Sequence, residues 1–238
     1  MKSLIKIIIG IILLVILTVI FITVQNSQSF LNHRLLQASQ DGKMELVERL
    51  LGKKADVNTQ DNEGYTPLML SIMNFHLNTA SLLLKNGADP NKRTFGPSDG
   101  IELHRYEYSS IHIASMIPDS IYLKEILKYK PNVDIKDGRG ETPLDIALSD
   151  GNYDNARALL EYGANPNSVD NRGLTPLIHV MQVVAKYPDI EMVEFLLEKG
   201  ALLVPNPARL TAIDYAETFE NPQAYEVANL LRKHFKVK

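Results

Sequence analysis

The chain repeats itself, and the period limits what it can fold into. Apolar pairs recur at Leu50-Leu51, Leu83-Leu84, Ile126-Leu127, Leu159-Leu160 and Leu196-Leu197. An asparagine, once replaced by aspartate, recurs at Asn58, Asn91, Asp134 and Asn167, with gaps of 33, 43 and 33 residues. Short triplets recur in phase with them: Thr66-Pro67-Leu68, Ser109-Ser110-Ile111, Thr142-Pro143-Leu144, Thr175-Pro176-Leu177 and Thr211-Ala212-Ile213. A fixed period of this length marks stacked supersecondary units, each burying its apolar face against its neighbours.

The stretch Asp137–Asn167 shows the unit most clearly. Gly138 and Gly140 after Asp137 mark a tight turn, Thr142 supplies an N-cap hydroxyl, and Pro143 fits the first helical position. Leu144, Ile146, Ala147 and Leu148 give a short helix its apolar face, and Gly151 ends it. A second helix follows, with Ala156, Leu159 and Leu160 inward and Gly163 at its C-terminal end. Neither helix is long enough to be stable alone in water, so the unit needs copies of itself on both sides.

A 33-residue period carrying T-P-L-x-x-A, L-L-x-x-G-A-D/N-x-N and a D-x-x-G turn resembles the ankyrin repeat. The resemblance covers Phe30 to the C-terminus. It implies an all-α fold, an ankyrin-repeat solenoid of antiparallel helix pairs with β-hairpin turns that project like fingers. Six units are expected, at 30–60, 61–93, 94–136, 137–169, 170–204 and 205–238. The first lacks the T-P-L opening but ends in Ala55-Asp56-Val57-Asn58, and the last departs most, as a terminal cap should. Its basic end, Arg232 to Lys238, reads as a helix C-terminus in solvent.

Ahead of the repeats stands an unbroken apolar run, Ile7 to Val24, relieved only by Gly10, Thr18 and Thr23. Its 18 residues would span roughly 27 Å as a helix, close to a bilayer's hydrocarbon thickness. Residues 1–24 are therefore expected to form one N-terminal transmembrane helix, a signal-anchor, with 25–29 as a short linker to the domain at 30–238. Lys2 and Lys6 before the run, and no charge after it until Arg34, orient the N-terminus to the cytoplasm. The expected location is a bacterial inner membrane, single-pass, with the repeats in the periplasm. A cleaved signal peptide is the alternative, given Ser27 and Ser29, and would leave the domain soluble in the periplasm. A buried core helix is a third reading, disfavoured because nothing around the run is amphipathic.

Composition and spacing exclude several kinds of chemistry. Net charge is −3, so there is no electrostatic footprint for nucleic acid. There is no cysteine, which removes disulfides, thiolate metal sites and thiol nucleophiles. The six histidines, His33, His76, His104, His112, His179 and His234, fall in different units or at different phases, with no H-x-x-x-H pair. His112 occupies the family's structural position in the helix-opening stretch, where the resemblance implies bonding to nearby backbone. His104, with Asp99 and Glu102 nearby, is at most a weak metal ligand. Asp61, Asp137 and Asp170 recur because turns favour Asp before Gly. No G-x-S-x-G elbow or phosphate-binding glycine loop is present. The chain is expected not to be an enzyme and to use no cofactor, no resident metal and no small-molecule substrate.

The departures from the period carry the functional expectations. Ten extra residues enter the third unit before Ser109, in Thr94–Tyr108, and four extra separate the helices of the fifth, around Ala185–Asp189. The longer insertion carries Phe95, His104, Arg105, Tyr106 and Tyr108, types favoured in binding surfaces. Similarity to the family implies that partners meet the concave side, made by the fingers and the ends of the first helices. Carried over by position, that side presents Tyr65, Met73 and Asn74 in the second unit and Arg105, Tyr106, Tyr108, Met116 and Ile117 in the third. Arg139, Glu141 and Asp150 follow in the fourth and Arg172 in the fifth. An apolar, aromatic centre with a polar rim is how binding surfaces are built. The alternative is that the inserted loop covers Met73, Met116 and Ile117 and makes them local core.

The expected function is a non-enzymatic protein-protein interaction module tethered on the exported side of a bacterial membrane. Resemblance to exported bacterial ankyrin proteins suggests an immunity protein that neutralises a secreted toxin such as a phospholipase effector. The alternative is a periplasmic envelope scaffold or stress-defence accessory protein.

Overall fold

Thr142 shows how the helix pairs of the second, fourth and last units start. Its hydroxyl accepts from the Asp145 backbone N–H, and the Asp145 carboxylate in turn accepts from the Thr142 N–H at 2.8 Å. Thr66 and Thr211 accept in the same way from Met69 and Asp214. In the third unit the Ser109 N–H donates to His112 Nδ1 at 3.1 Å, so this ring takes the reciprocal place in the cap.

The computed structural model describes residues 2–95, 106–184, 189–218 and 222–237, with side chains described except at 2–9, 21–22, 24–26 and 182–184. Twelve helices occur among the described residues. They are α1 (Lys2–Gln40), α2 (Met44–Gly52), α3 (Pro67–Met73), α4 (Leu77–Lys85), α5 (Ser110–Met116), α6 (Ile121–Leu127), α7 (Pro143–Ser149), α8 (Tyr153–Tyr162), α9 (Pro176–Val184), α10 (Ile190–Glu198), α11 (Ala212–Glu217) and α12 (Pro222–Phe235). First helices pack in one row, α1–α3–α5–α7–α9–α11, and second helices α2–α4–α6–α8–α10 in another. One continuous core lies between the rows, with Leu68, Ile72, Ile111, Leu123, Leu144, Leu159 and Leu196 fully buried.

Two backbone devices hold neighbouring units in register. The recurring asparagine accepts from the next unit: Asn58 from Asp89 N, Asn91 from Asn132 N, Asp134 from Asn165 N and Asn167 from Leu202 N, all within 2.7–2.8 Å. In the first unit Asn32 of α1 takes the same role toward Asp56 N. The fingers also bond to one another, through Phe95 N to Glu63 O, Gly138 N to Tyr106 O and Asn171 N to Arg139 O. A main-chain bond closes each finger at its base: Asp61 N to Tyr65 O, Thr94 N to Tyr108 O, Asp137 N to Glu141 O and Asp170 N to Leu174 O. Among the described residues the one β-bridge is Arg93 with Ser109, so these are tight turns and not strand ladders.

This register locates the ten-residue insertion. Phe95 occupies the place of Gly138 and Asn171, and Tyr106 that of Arg139 and Arg172, so the added residues are 96–105 by sequence. The expected contributions of His104 and Arg105 lie outside the described residues, as does most of the insertion around Ala185–Asp189.

The expected transmembrane anchor is overturned. Among the described residues no helix is long and apolar enough to cross a membrane. Residues 25–29, expected as a short linker, are helical and belong to α1. With no proline or glycine after Gly10 to interrupt it, α1 continues into the repeats, where Leu35, Leu36, Ala38 and Ser39 are buried. Hydropathy counted over 7–24 took as a separate segment what is one helix with the first unit. The single-pass inner-membrane location, and the periplasmic placement that followed from it, lose their basis.

Candidate functional site

The fingers of the fourth and fifth units are built alike. In each, the first Asp accepts from two backbone N–H groups of its own turn: Asp137 from Arg139 and Glu141, Asp170 from Arg172 and Leu174, at 2.8–2.9 Å. The other carboxylate oxygen then takes the guanidinium two residues on, Arg139 Nε at 3.2 Å and Arg172 Nε at 3.0 Å. Glu141 sits between the two arginines and pairs with both, with Arg172 at 2.7 Å. Its carboxyl is pushed above the ordinary range by burial, against the pull of Arg139 and Arg172.

The third unit completes this surface with aromatic rings. Tyr106 and Tyr108 stack at 5.4 Å, and the Arg139 guanidinium lies over the Tyr106 ring at 4.3 Å. Arg139 also donates to the Tyr108 hydroxyl at 3.3 Å. Burial pushes Tyr108 up to about 12, with Arg139 pulling the other way, so the phenol stays protonated. Behind the rings, burial pushes His112 down to about 4, against the Asp137 charge.

These groups enclose a cavity of about 340 Å³ lined by Tyr108, Met116, Arg139, Glu141, Ile146, Ser149, Asp150 and Arg172. Met116 and Ile146 supply apolar wall. Asp150 stands at its exposed edge, its carboxyl raised by burial against the charge of Arg139. Three units contribute, so the cavity exists only in the stacked array.

A larger, open cavity of about 800 Å³ lies between α1 and the second finger, lined in part by Gln28, Asn32, His33, Gln60, Asp61 and Asn62. Its polar groups are mostly committed to the scaffold. Asn32 accepts from Asp56 N, Gln60 donates to Gly64 O and Arg93 O, and Asp61 accepts from Glu63 N and Tyr65 N. The smaller cavity is the better-built site, because rings, thioether and charges of three units converge on it.

Of the residues expected on the partner face, Tyr106, Tyr108, Met116, Arg139, Glu141, Asp150 and Arg172 are brought together here. Tyr65 packs partly against the core, and Met73 and Asn74 stand exposed at the end of α3, lining no part of the cavity. Asn74 instead turns its amide back to cap Leu70 O. Ile117 is corrected from surface to core: it is 8% exposed and joins the central cluster, because the chain leaves α5 in extended conformation there, just before Pro118. Its carbonyl is taken by the buried Asn155 amide of the next unit at 2.7 Å. Arg105 lies outside the described residues.

Sequence reasoning did not single out His179 and Asp170. His179 is wholly buried, holds Nδ1 2.7 Å from Ser149 Oγ, and sets Nε2 3.4 Å from Asp170 Oδ2. Burial pushes it down to about 4, against the Asp170 charge. The available signal was positional. At the place where the second and fourth units put Leu70 and Ile146, the fifth unit puts a histidine.

Residues 20–95 match a family model described as ankyrin repeats (3 copies), and residues 126–180 match one described as ankyrin repeats (many copies). The chain belongs to the ankyrin-repeat family. Its relatives in that family are otherwise diverse. It is 27% identical over 187 residues to the ankyrin repeat and KH domain-containing protein mask-1 of Caenorhabditis elegans, covering 79% of this chain and 7% of that protein. It is 29% identical to the ADP-ribosylation factor GTPase-activating protein AGD4 of Arabidopsis thaliana, covering 64% of this chain and 20% of that one. A human mitochondrial disaggregase is 28% identical, over 60% of this chain and 24% of its own length. The chain thus spans a quarter or less of the length of these curated relatives. A crystal structure of an ankyrin repeat domain from Acinetobacter baumannii AYE superposes with a TM-score of 0.72 at 23% identity, covering 82% of this chain and 96% of that one. That likeness shows the fold. Ankyrin repeats are a protein-interaction scaffold, typically without catalysis of their own, and the described geometry is consistent with such a module.

Proposed function

We propose that this ankyrin-repeat module binds a protein partner through the concave surface of its third, fourth and fifth units. The observation that carries this reading is the cavity itself: an aromatic and thioether wall from Tyr108 and Met116, closed by Arg139, Glu141, Asp150 and Arg172. Binding energy concentrates where aromatic and arginine side chains meet a desolvated pocket. Arg139, stacked on Tyr106 and tied to Asp137 and Glu141, is held in place before any partner arrives. Such pre-organisation lowers the entropy lost on binding.

The finer reading, a toxin neutralised by this module, draws only on family resemblance and gains nothing from the geometry of the cavity. The test treats it and an endogenous scaffold partner alike. Partners are captured with the full chain, and the affinity of the recovered protein is measured against Tyr106→Ala and Met116→Ala. Each substitution is expected to weaken binding about tenfold or more, with the melting temperature little changed. Unchanged affinity in both variants would overturn the placement. A recovered partner that is a secreted toxin would support the finer reading, and a resident cellular protein would remove it.

A further inference from the structure

We propose that Glu141, Asp170 and His179 form a binding site for a divalent transition metal of the zinc class, which the Arg172 guanidinium blocks in the metal-free protein. One ligand atom from each of the three residues lies within 4.8 Å of the others, and all three residues are buried. They come from two neighbouring units, so the array creates the cluster.

Two further observations point to a cation. His179 Nε2 is buried and has no hydrogen-bond partner. At 3.4 Å from Asp170 Oδ2 it is beyond normal hydrogen-bond length, yet it faces the carboxylates. The other ring nitrogen is fixed by Ser149 Oγ at 2.7 Å, the kind of outer hydrogen bond that orients metal-binding histidines. On metal binding the ring proton would sit on Nδ1 and be donated to Ser149 Oγ, leaving the Nε2 lone pair for the metal.

The second observation is that a cation already bridges the two carboxylates. Arg172 donates through Nε to Asp170 Oδ2 and through a terminal nitrogen to Glu141 Oε1, at 3.0 and 2.7 Å. Its side chain is 55% exposed, so it can rotate into solvent without unfolding the turn. With Arg172 out, Asp137, Glu141 and Asp170 face only Arg139, an excess of two negative charges that a divalent ion would neutralise. One imidazole nitrogen and two carboxylate oxygens, with a fourth position open to water, suit zinc. Calcium and magnesium want more oxygens and no imidazole. The inference is independent of the partner reading, because the chain alone suffices to test it.

The test is titration of the untagged full chain with Zn²⁺, and with Co²⁺ as a spectroscopic substitute. A single equivalent is expected to bind, with Co²⁺ giving the strong visible absorption of a four-coordinate site. Arg172→Ala removes the competing cation and is expected to tighten binding. Glu141→Gln and His179→Gln are each expected to weaken it by about tenfold or more. Circular dichroism melts identify whichever of these two variants stays folded, and the folded one decides. Tighter binding in Arg172→Ala separates this site from adventitious histidines, whose affinity that change leaves alone. No stoichiometric binding by the parent or Arg172→Ala up to millimolar metal would overturn the site. So would binding that survives in a folded Glu141→Gln or His179→Gln chain.

Discussion

The second unit and the units that follow it share one backbone plan, yet only the latter gather aromatic rings, a thioether and paired charges of three units around one cavity. At the finger position two residues after the turn aspartate, the second unit carries Glu63, whereas the fourth and fifth carry Arg139 and Arg172, and the third places Tyr106 there. Asp61 accepts from Glu63 N and Tyr65 N, as its counterparts do, but has no guanidinium to hold. At the third position of the first helix, the second unit has Met69, while the third and fourth bury His112 and Asp145. An arginine two residues after the turn aspartate therefore converts a plain structural turn into one link of a charged network that joins the fourth and fifth units and stacks on the tyrosines of the third. Main-chain bonds set the array; side chains at two columns decide which stretch of it can recognise anything.

Gly64 and Glu107 make the first test, since they share one column. Gly64 lies at φ +87°, and a Cβ there would collide with the Phe95 backbone N, which donates to Glu63 O. Gly64→Ala combines left-handed strain with a clash against an unyielding backbone and should cost about 3 kcal/mol in urea denaturation. Glu107 occupies the same place in the third finger at φ +45°, where glycine would be at ease. Glu107→Gly removes that strain but also the exposed Arg93–Glu107 pair at 2.8 Å, so the two should nearly cancel. A loss above about 1 kcal/mol on Glu107→Gly would show that the third finger is not built like the others.

Arginine substitutions address the network directly. Arg139→Ala leaves the buried Asp137 and Glu141 carboxylates with one cation fewer and should destabilise by about 1–2 kcal/mol, discounted because the guanidinium is partly solvated. Glu63→Ala, at the equivalent position, should stay within about 0.5 kcal/mol. Equal effects would erase the distinction between the two fingers.

The buried titratable groups give a pH dependence that the second unit has no means to produce. His112 and His179 are pushed down to about 4 from 6.5, so the unfolded chain binds more protons between those values, and stability falls as pH drops through that window. Asp145 works in the opposite sense. Burial raises it to about 7 from 3.8, so its contribution is present at low pH and is lost as pH rises through 7. Two rings against one carboxyl leave a net uptake of about one proton on unfolding, or about 1 kcal/mol per pH unit between pH 6.5 and 4.5. Urea midpoints across that range should fall with pH, and His112→Gln should flatten the curve. A parent curve that is flat or rises toward acid would contradict the opposing assignments.

Much of the fold was legible because its determinants are local and repeated. Thr142 and Pro143, the glycines of the turns and the Asn58–Asn91–Asp134–Asn167 ladder each have one structural job, and the same spacing states it again in each unit. The cavity residues were legible at one remove, since a known repeat position implies a known face. Three things escaped for physical reasons. Ile117 turns inward because the chain leaves α5 in extended conformation before Pro118, a departure that position in a regular repeat does not convey. His179 needed a contact between units, and its turn partner Asp170 was already accounted for by backbone capping. The apolar run at 7–24 carries no mark of where one helix ends, and α1 crosses the polar residues after it without a break.

The central claim is that partner recognition belongs to the concave side of units three to five. Site-specific photo-crosslinking tests it most directly, with a photoreactive residue placed in turn at Asp150, at Glu63 in the second finger and at Glu161 on α8, all exposed in the free chain. The account predicts that a partner is captured from position 150 and not from 63 or 161. Capture from 161 alone, or equal capture from all three, would contradict it.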